Sequence, residues 1–228
     1  MSFDTQTKLA IYRHFAETGQ RPSLEVVAER VRSDVSSVRE AYLRLRAQRV
    51  LVLESDAVSI RMAPPFSGVP TQHVVIVDET KYFANCAWDS LGIPTALHRP
   101  GRVHSRCEQS GEPLNLEIGL EGPAPCTWLF HCLVPAAKWW ENIVLACSNT
   151  MLFFSSAAHL DDWLAEDPKM AAGQALTIEK TVKLSVPIYR GKMAIDYERP
   201  SAAVLSSHFR ALGLTGPFWE LPAIAASR

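Results

Sequence analysis

Long apolar runs are missing from this chain: none of its 228 residues fall in an uninterrupted stretch that could cross a membrane. A surplus of charge is missing too. With 23 Lys or Arg against 24 Asp or Glu, the net charge is -1. Nothing in the whole-chain balance therefore points to nucleic acid, a membrane surface or a polyanionic substrate. The opening residues, Met1 to Lys8, lack both the basic and the apolar region of a secretory signal. A cytoplasmic, reducing location is the expectation.

The five cysteines, at 86, 107, 126, 132 and 147, include no Cys-x-x-Cys pair, which argues against a zinc ribbon or a thioredoxin-type site. Their odd number and irregular spacing argue against a disulfide framework. Most read as small buried hydrophobes. The seven histidines contain no His-x-x-x-His spacing. No Gly-x-Ser-x-Gly element supports a hydrolase. Neither a Gly-rich phosphate loop nor an internal repeat is present.

What is present is a chain 47% hydrophobic, enough for one large domain or two small ones. Residues 1–63 read as a winged-helix-like unit. Leu9, Tyr12, Phe15 and Ala16 fall at helical spacing, with Gly19 placed to end that helix. Ser23 suits the N-cap of a second helix, and a third starts near Ser33 with Val35, Val38, Tyr42 and Leu45 on one face. Two β-rich runs, Val50 to Leu53 and Val58 to Met62, close the unit. Its third helix carries Arg39, Arg44, Arg46 and Arg49, but residues 1–62 hold ten Lys or Arg against eight Asp or Glu. That surplus is small for a DNA reader, so a packing module is the leading reading and DNA binding the second.

Pro64 to Pro70 reads as a linker by composition. The main domain then spans 71–228. A strand is expected at Val74 to Val77 and a helix over Tyr82 to Leu91, stopped by Gly92 and Pro94. Strands follow near Arg102 to Ser105, Leu114 to Leu120 and Thr127 to Leu133. The apolar run Asn142 to Phe154 reads as strand on either side of a bend at Ser148-Asn149. Ser156 is placed to cap a helix bearing Leu160, Trp163 and Leu164, which ends at Asp167-Pro168. Strands and helices do not alternate regularly, so the class is α+β, with a mixed or antiparallel sheet and flanking helices.

The chemistry concentrates in Phe83-Ala84-Asn85-Cys86-Ala87-Trp88-Asp89. On a helix, Cys86 and Asp89 share a face one turn apart. A helix N-terminus would favour the Cys86 thiolate. In an apolar pocket beside Trp88 or Phe83, the Asp89 carboxyl could stay protonated and serve as a proton donor. Cys147, at the end of an apolar strand, suits a second ligand for a soft cation that prefers two sulfurs. Cys107 reads as structural. Cys126 and Cys132 would share a face in an unbroken strand, where packing is favoured over metal binding. Trp139-Trp140 and Phe218-Trp219 read as core aromatics that could also line a pocket. Asp161-Asp162 reads as solvated.

Over most of its length the chain resembles the organomercurial (alkylmercury) lyase family. The likeness runs in order through the N-terminal helical unit, Phe83 to Asp89, His104 to Gly111, and Phe153-Phe154-Ser155-Ser156 into Trp163. It implies cleavage of carbon–mercury bonds by protonolysis, giving a hydrocarbon and Hg(II). Cys86 and Cys147 would be the paired thiols holding mercury, Asp89 would shuttle the proton beside them, and all three would contact the Hg(II) product. No organic cofactor is implied; Hg(II) is held as product and external thiols are needed for turnover. An organomercurial small molecule is the implied substrate and a mercuric reductase the implied recipient of the ion. The segment Ala146 to Thr150 lacks the histidines associated with the best-known members, and a small insertion separates Cys147 from Phe153-Phe154. Two alternatives stay open. One is a thiol- or metal-responsive winged-helix regulator. The other is a family relative with a non-mercury lyase substrate or a metal-binding role.

Overall fold

The computed structural model describes residues 1–166 and 172–222. The chain opens with three helices, α1 (Phe3–Thr18), α2 (Leu24–Val31) and α3 (Val35–Ala47). Each is started by a side chain that accepts a backbone N–H: Ser2 from Thr5, Ser23 from Val26, and Asp34 from Ser37. Gly19 ends α1 in the left-handed region at φ 70°, where a residue lacking Cβ is at ease. Arg44 is clamped to Asp4 by contacts of 2.8–3.0 Å, so that arginine is engaged within the unit.

Three short strands follow, β1 (Val52–Leu53), β2 (Ile60–Ala63) and β3 (Phe66–Ser67), paired in that order. The third corrects the linker expected over 64–70. Phe66 is fully buried and stacks on Phe15 at 5.4 Å between centroids. Burying a phenylalanine stabilises by roughly 1.5–3 kcal/mol, enough to hold a Pro-rich stretch against the helices. Composition marked a break in regular structure there, but the segment's anchor is apolar.

A five-stranded sheet comes next. It joins β4 (Val74–Val77), β5 (Thr80–Phe83), β6 (Gly101–Arg106), β7 (Pro113–Gly119) and β8 (Gly122–Pro123) in the order β5-β4-β6-β7-β8. Along β7 the buried residues alternate, with Leu114, Leu116 and Ile118 facing the core. A second sheet pairs β9 (Leu129–Cys132) between β10 (Met151–Phe154) and β11 (Gln174–Thr177). All assigned pairings among the described residues are antiparallel. With the helices that pack on these sheets, the fold class is α+β.

Helix α4 (Ala87–Leu97) sits in the middle of this arrangement. It packs on the later helix α7 (Ile178–Tyr189) and on strands of both sheets. Nearly every residue from Ala87 to Ala96 is buried, so the helix is apolar all round, as an internal helix must be. It starts later than expected, because Thr80–Phe83 pairs with β4, and it runs on through Gly92 and Pro94. Both residues are local helix breakers, yet packing overrides propensity here. Gly92 is needed for contact: a Cβ there would run into the Tyr189 ring.

Helix α5 (Ile143–Ser148) replaces the strand expected before Ser148-Asn149. Asn142 starts it by accepting the Leu145 N–H at 3.1 Å. Helix α6 (Ala157–Glu166) follows β10, with the Asp161 and Asp162 side chains exposed. The stop expected at Asp167-Pro168 lies outside the described residues. Helix α8 (Ala202–Ala211) completes the regular elements described. Among the described residues, no helix is long and apolar enough to cross a membrane.

Candidate functional site

Cys86 occupies the N-cap of α4, and its Sγ accepts the Asp89 N–H at 3.5 Å. Ser, Thr, Asp and Asn fill that position better, because an oxygen is the stronger acceptor. A thiol at a cap inside the core is therefore a poor choice for stability alone. Asp89 follows one turn later, as its spacing predicted. Cys147 reaches the same spot from α5 rather than from a strand end, and its Sγ lies 3.4 Å from Asp89 Oδ2. The two sulfurs and a carboxylate oxygen all lie within 4.8 Å of one another, and all three residues are buried. Among the described residues, no other group of His, Cys, Asp or Glu has this geometry. The three site residues singled out in the sequence are thus brought together.

Four further residues complete the surroundings. Asn85 donates from Nδ2 to Asp89 Oδ2 at 2.7 Å, and the same amide reaches the Phe66 carbonyl at 3.2 Å. Tyr189, at the end of α7, donates its hydroxyl to Asp89 Oδ1. Met151, first residue of β10, places its sulfur 3.8 Å from Cys86 Sγ. Lys192 lies just beyond α7, only 4% exposed, with its Nζ 3.4 Å from the Tyr197 hydroxyl. Asn85 belonged to the motif read from the sequence, but without a role. Tyr189 and Lys192 carried no local signal: Tyr189 lies 100 residues from its partner, and Lys192 sits in a polar-looking Arg-Gly-Lys segment.

Burial controls the charges. Desolvation pushes the Asp89 carboxyl above its ordinary pKa, although hydrogen bonds from Tyr189, Asn85 and Cys147 pull the other way. The same desolvation raises Cys86 and raises Cys147 well above the usual thiol value. This corrects the expectation that the helix start would favour the Cys86 thiolate. The cap N–H groups do favour it, but loss of water outweighs them. Burial thus favours the protonated forms of both thiols and of the carboxyl. Lys192 moves the opposite way, lowered to about 7 by burial first and then by Arg199.

A cavity of about 70 Å³ opens onto this centre, lined by Trp88, Asp89, Trp139, Cys147, Tyr189 and Lys192 among others. That is space for several water-sized groups. Trp139 packs edge-on against Trp88 at 5.0 Å between centroids, and its neighbour Trp140 also faces the cavity. The tryptophan pair thus both packs and lines. Arg49 and Met62 of the N-terminal unit, and Pro64 just after it, contribute to the same walls.

The remaining thiols are not part of this group. Cys107 is buried near His159, its sulfur accepting the Ser155 N–H at 3.4 Å. Desolvation opposes its thiolate, but hydrogen bonds from Ser110 and Ser155 prevail and bring its pKa to about 7. Cys132 is buried at the end of β9, whereas Cys126 precedes that strand. The unbroken strand that would have put both on one face is absent.

A buried pair of thiols around a carboxyl, at the head of a core helix in this α+β frame, is a donor set suited to a soft metal ion. The family model described as "Alkylmercury lyase" matches residues 66–190, more than half of the chain, and the chain belongs to that family. Alkylmercury lyases of Bacillus cereus and Clostridium butyricum are each 30% identical over 119 residues, 51% of this chain and 52% of theirs. That of Streptomyces lividans is 31% identical over 102 residues, covering 43% of this chain and 46% of its own. The chain spans about half the length of the curated relatives it matches. The crystal structure of the mercury-bound form of MerB2 superposes with a TM-score of 0.64 at 22% identity. That match covers 82% of this chain and 91% of the other. At that identity the likeness is one of fold.

Proposed function

We propose that the protein is an organomercurial lyase that breaks carbon–mercury bonds by protonolysis. The observation that carries this reading is the convergence of Cys86, Asp89 and Cys147 within 4.8 Å in a buried site. Family membership supports it. Two thiols suit a large polarizable cation that prefers sulfur, and the carboxyl between them supplies a proton where the carbon would sit.

The steps balance. The organomercury cation arrives on a small thiol and exchanges onto Cys86, whose proton leaves with the displaced carrier. The Asp89 carboxyl then protonates the mercury-bound carbon, the carbon–mercury bond breaks, and the hydrocarbon departs. The Cys147 sulfur bonds to mercury as its own proton passes to Asp89, 3.4 Å away, restoring the acid. Hg(II) remains on two cysteine sulfurs. Two external thiols remove it, returning a proton to each cysteine. No organic cofactor enters this scheme, and mercuric ion leaves on thiols that a mercuric reductase could accept.

The raised pKa values fit these roles. Protonated thiols supply the protons that the carbon and the departing carrier take up. A protonated Asp89 is the form able to donate. Tyr189 and Asn85 hold the carboxyl in place by hydrogen bonds to its two oxygens.

The deciding experiment incubates purified protein with phenylmercury and excess uncharged thiol, with benzene followed by gas chromatography. Benzene release that requires Cys86 and Cys147 supports the proposal. Tight mercury binding with no benzene would instead identify a metal-binding relative.

A further inference from the structure

The cavity beside the thiols is walled on one side by cations. Lys192, Arg49 and Arg199 all line it. Both guanidinium groups lie over the face of Trp140, at 5.7 Å for Arg49 and 4.7 Å for Arg199. Among the described residues, none of the three forms an ion pair with a carboxylate. Lys192 is the telling member. It is more than nine-tenths buried, and the polar partner of its ammonium is the neutral Tyr197 hydroxyl, at 3.4 Å. An ammonium buried without an anion is costly, and such groups are normally paired.

These cations also come from particular parts of the chain. Cys86, Asp89 and Cys147 lie inside residues 66–190, the stretch that matches the family, whereas Arg49 precedes it and both Lys192 and Arg199 follow it. The segments that supply the cationic wall are thus separate from those that supply the chemistry.

We infer that Lys192, Arg49 and Arg199 form a subsite for a carboxylate, and that the preferred substrates are organomercury compounds whose organic group carries one. This rests on the lyase reading and narrows its substrate class. A carboxylate directed at the wall would give the Lys192 ammonium a direct ion pair, which the more distant Asp89 charge does not form. The tryptophans beneath and beside it would cover the apolar part of the group. Burial first, and then the neighbouring Arg199 charge, bring the Lys192 pKa to about 7, and a bound anion would favour its charged form again.

The test compares 4-carboxyphenylmercury with phenylmercury, each delivered on 2-mercaptoethanol so that the carrier thiol bears no charge. A preference of about tenfold in kcat/KM for the carboxylated reagent is expected, the size of one hydrogen-bonded charge contact. In Lys192→Met, and separately in an Arg49→Gln/Arg199→Gln double variant, that ratio should fall toward unity. Equal kcat/KM for the two reagents in wild type would overturn the subsite, as would a preference that survives in both variants. Phenylmercury delivered on 3-mercaptopropionate provides a further arm. A gain there, with none for the carboxylated arene, would place the anion on the carrier and also overturn the assignment. Should neither reagent be cleaved, the lyase reading fails, and the subsite is judged by equilibrium binding. Tighter binding of the carboxylated reagent, lost in the variants, supports it; equal affinity overturns it.

Discussion

Tyr189 hands its phenolic hydrogen to Asp89 across the packed interface of α7 and α4, joining residues 100 positions apart. The contact exists because Gly92 presents no side chain where the tyrosine ring lies. Removing the hydroxyl in Tyr189→Phe takes away a donor that stabilises the carboxylate form. Benzene release should fall about tenfold, since a hydrogen bond to a charged group is worth roughly 1.5–3 kcal/mol. Its pH profile gives the sign. With Asp89 as the proposed acid, activity should decline as pH rises through its pKa. Without Tyr189 that pKa rises further, and the alkaline limb should move to higher pH. An unmoved limb would remove Tyr189 from the proton path.

Gly92→Ala probes the same contact from the other side. A methyl group in the middle of a helix is ordinarily favourable by up to about 1 kcal/mol. Here it meets the Tyr189 ring, and overpacking of this kind costs roughly 1–3 kcal/mol. We expect a lower thermal midpoint and slower benzene release together.

Asp89→Asn keeps the shape of the acid and removes its proton. Two-thiol binding of Hg(II), followed by competition with a small thiol, should persist. Benzene release should drop by about 10²–10⁴-fold, the range for loss of a general acid. Retention of full activity would end the assignment of Asp89 as donor.

Cys86→Ser separates stability from chemistry. Serine is the better N-cap, so α4 should be at least as stable by thermal melting, with a gain of up to about 1 kcal/mol. Benzene production should nevertheless vanish. Cys147→Ser should abolish turnover as well, while leaving one site thiol to capture the organomercurial, countable by thiol titration.

Lys192 gives the protein a stability slope with pH. Its pKa drops from 10.5 in the unfolded chain to about 7 when buried, so the unfolded state binds more protons between those values. The contribution is fully present above 10.5 and is lost as pH falls through about 7. Wild-type urea midpoints should therefore decline across that window on acidification, with Lys192→Met lacking the slope. Near neutrality the variant should be more stable, by roughly 2–4 kcal/mol.

Much of the centre was legible from local spacing. Cys86 and Asp89 are one helical turn apart, and Ser23 and Gly19 cap the elements that their chemistry suggests. The errors arose where packing overrode local preference. Gly92 and Pro94 read as a helix stop, but α4 is enclosed by apolar neighbours on every side and continues to Leu97. The run Asn142 to Phe154 is apolar enough for either strand or helix, and it contains both: α5 up to Ser148, then β10 from Met151. Pro64 to Pro70 looked like a tether because prolines dominate it, while the residue that decides its position is Phe66. Tyr189 and Lys192 could not be found from spacing, since each meets the centre only through the tertiary fold.

Cys86 is at once a proposed metal ligand and the residue that begins α4, through the Asp89 amide it accepts. A mercury atom on that sulfur would compete for the lone pair turned toward the amide. Occupancy should consequently be felt as a loosening of the first helical turn, visible as faster deuterium uptake at the Asp89 nitrogen. The backbone would then carry its own gauge of whether the sulfur is loaded.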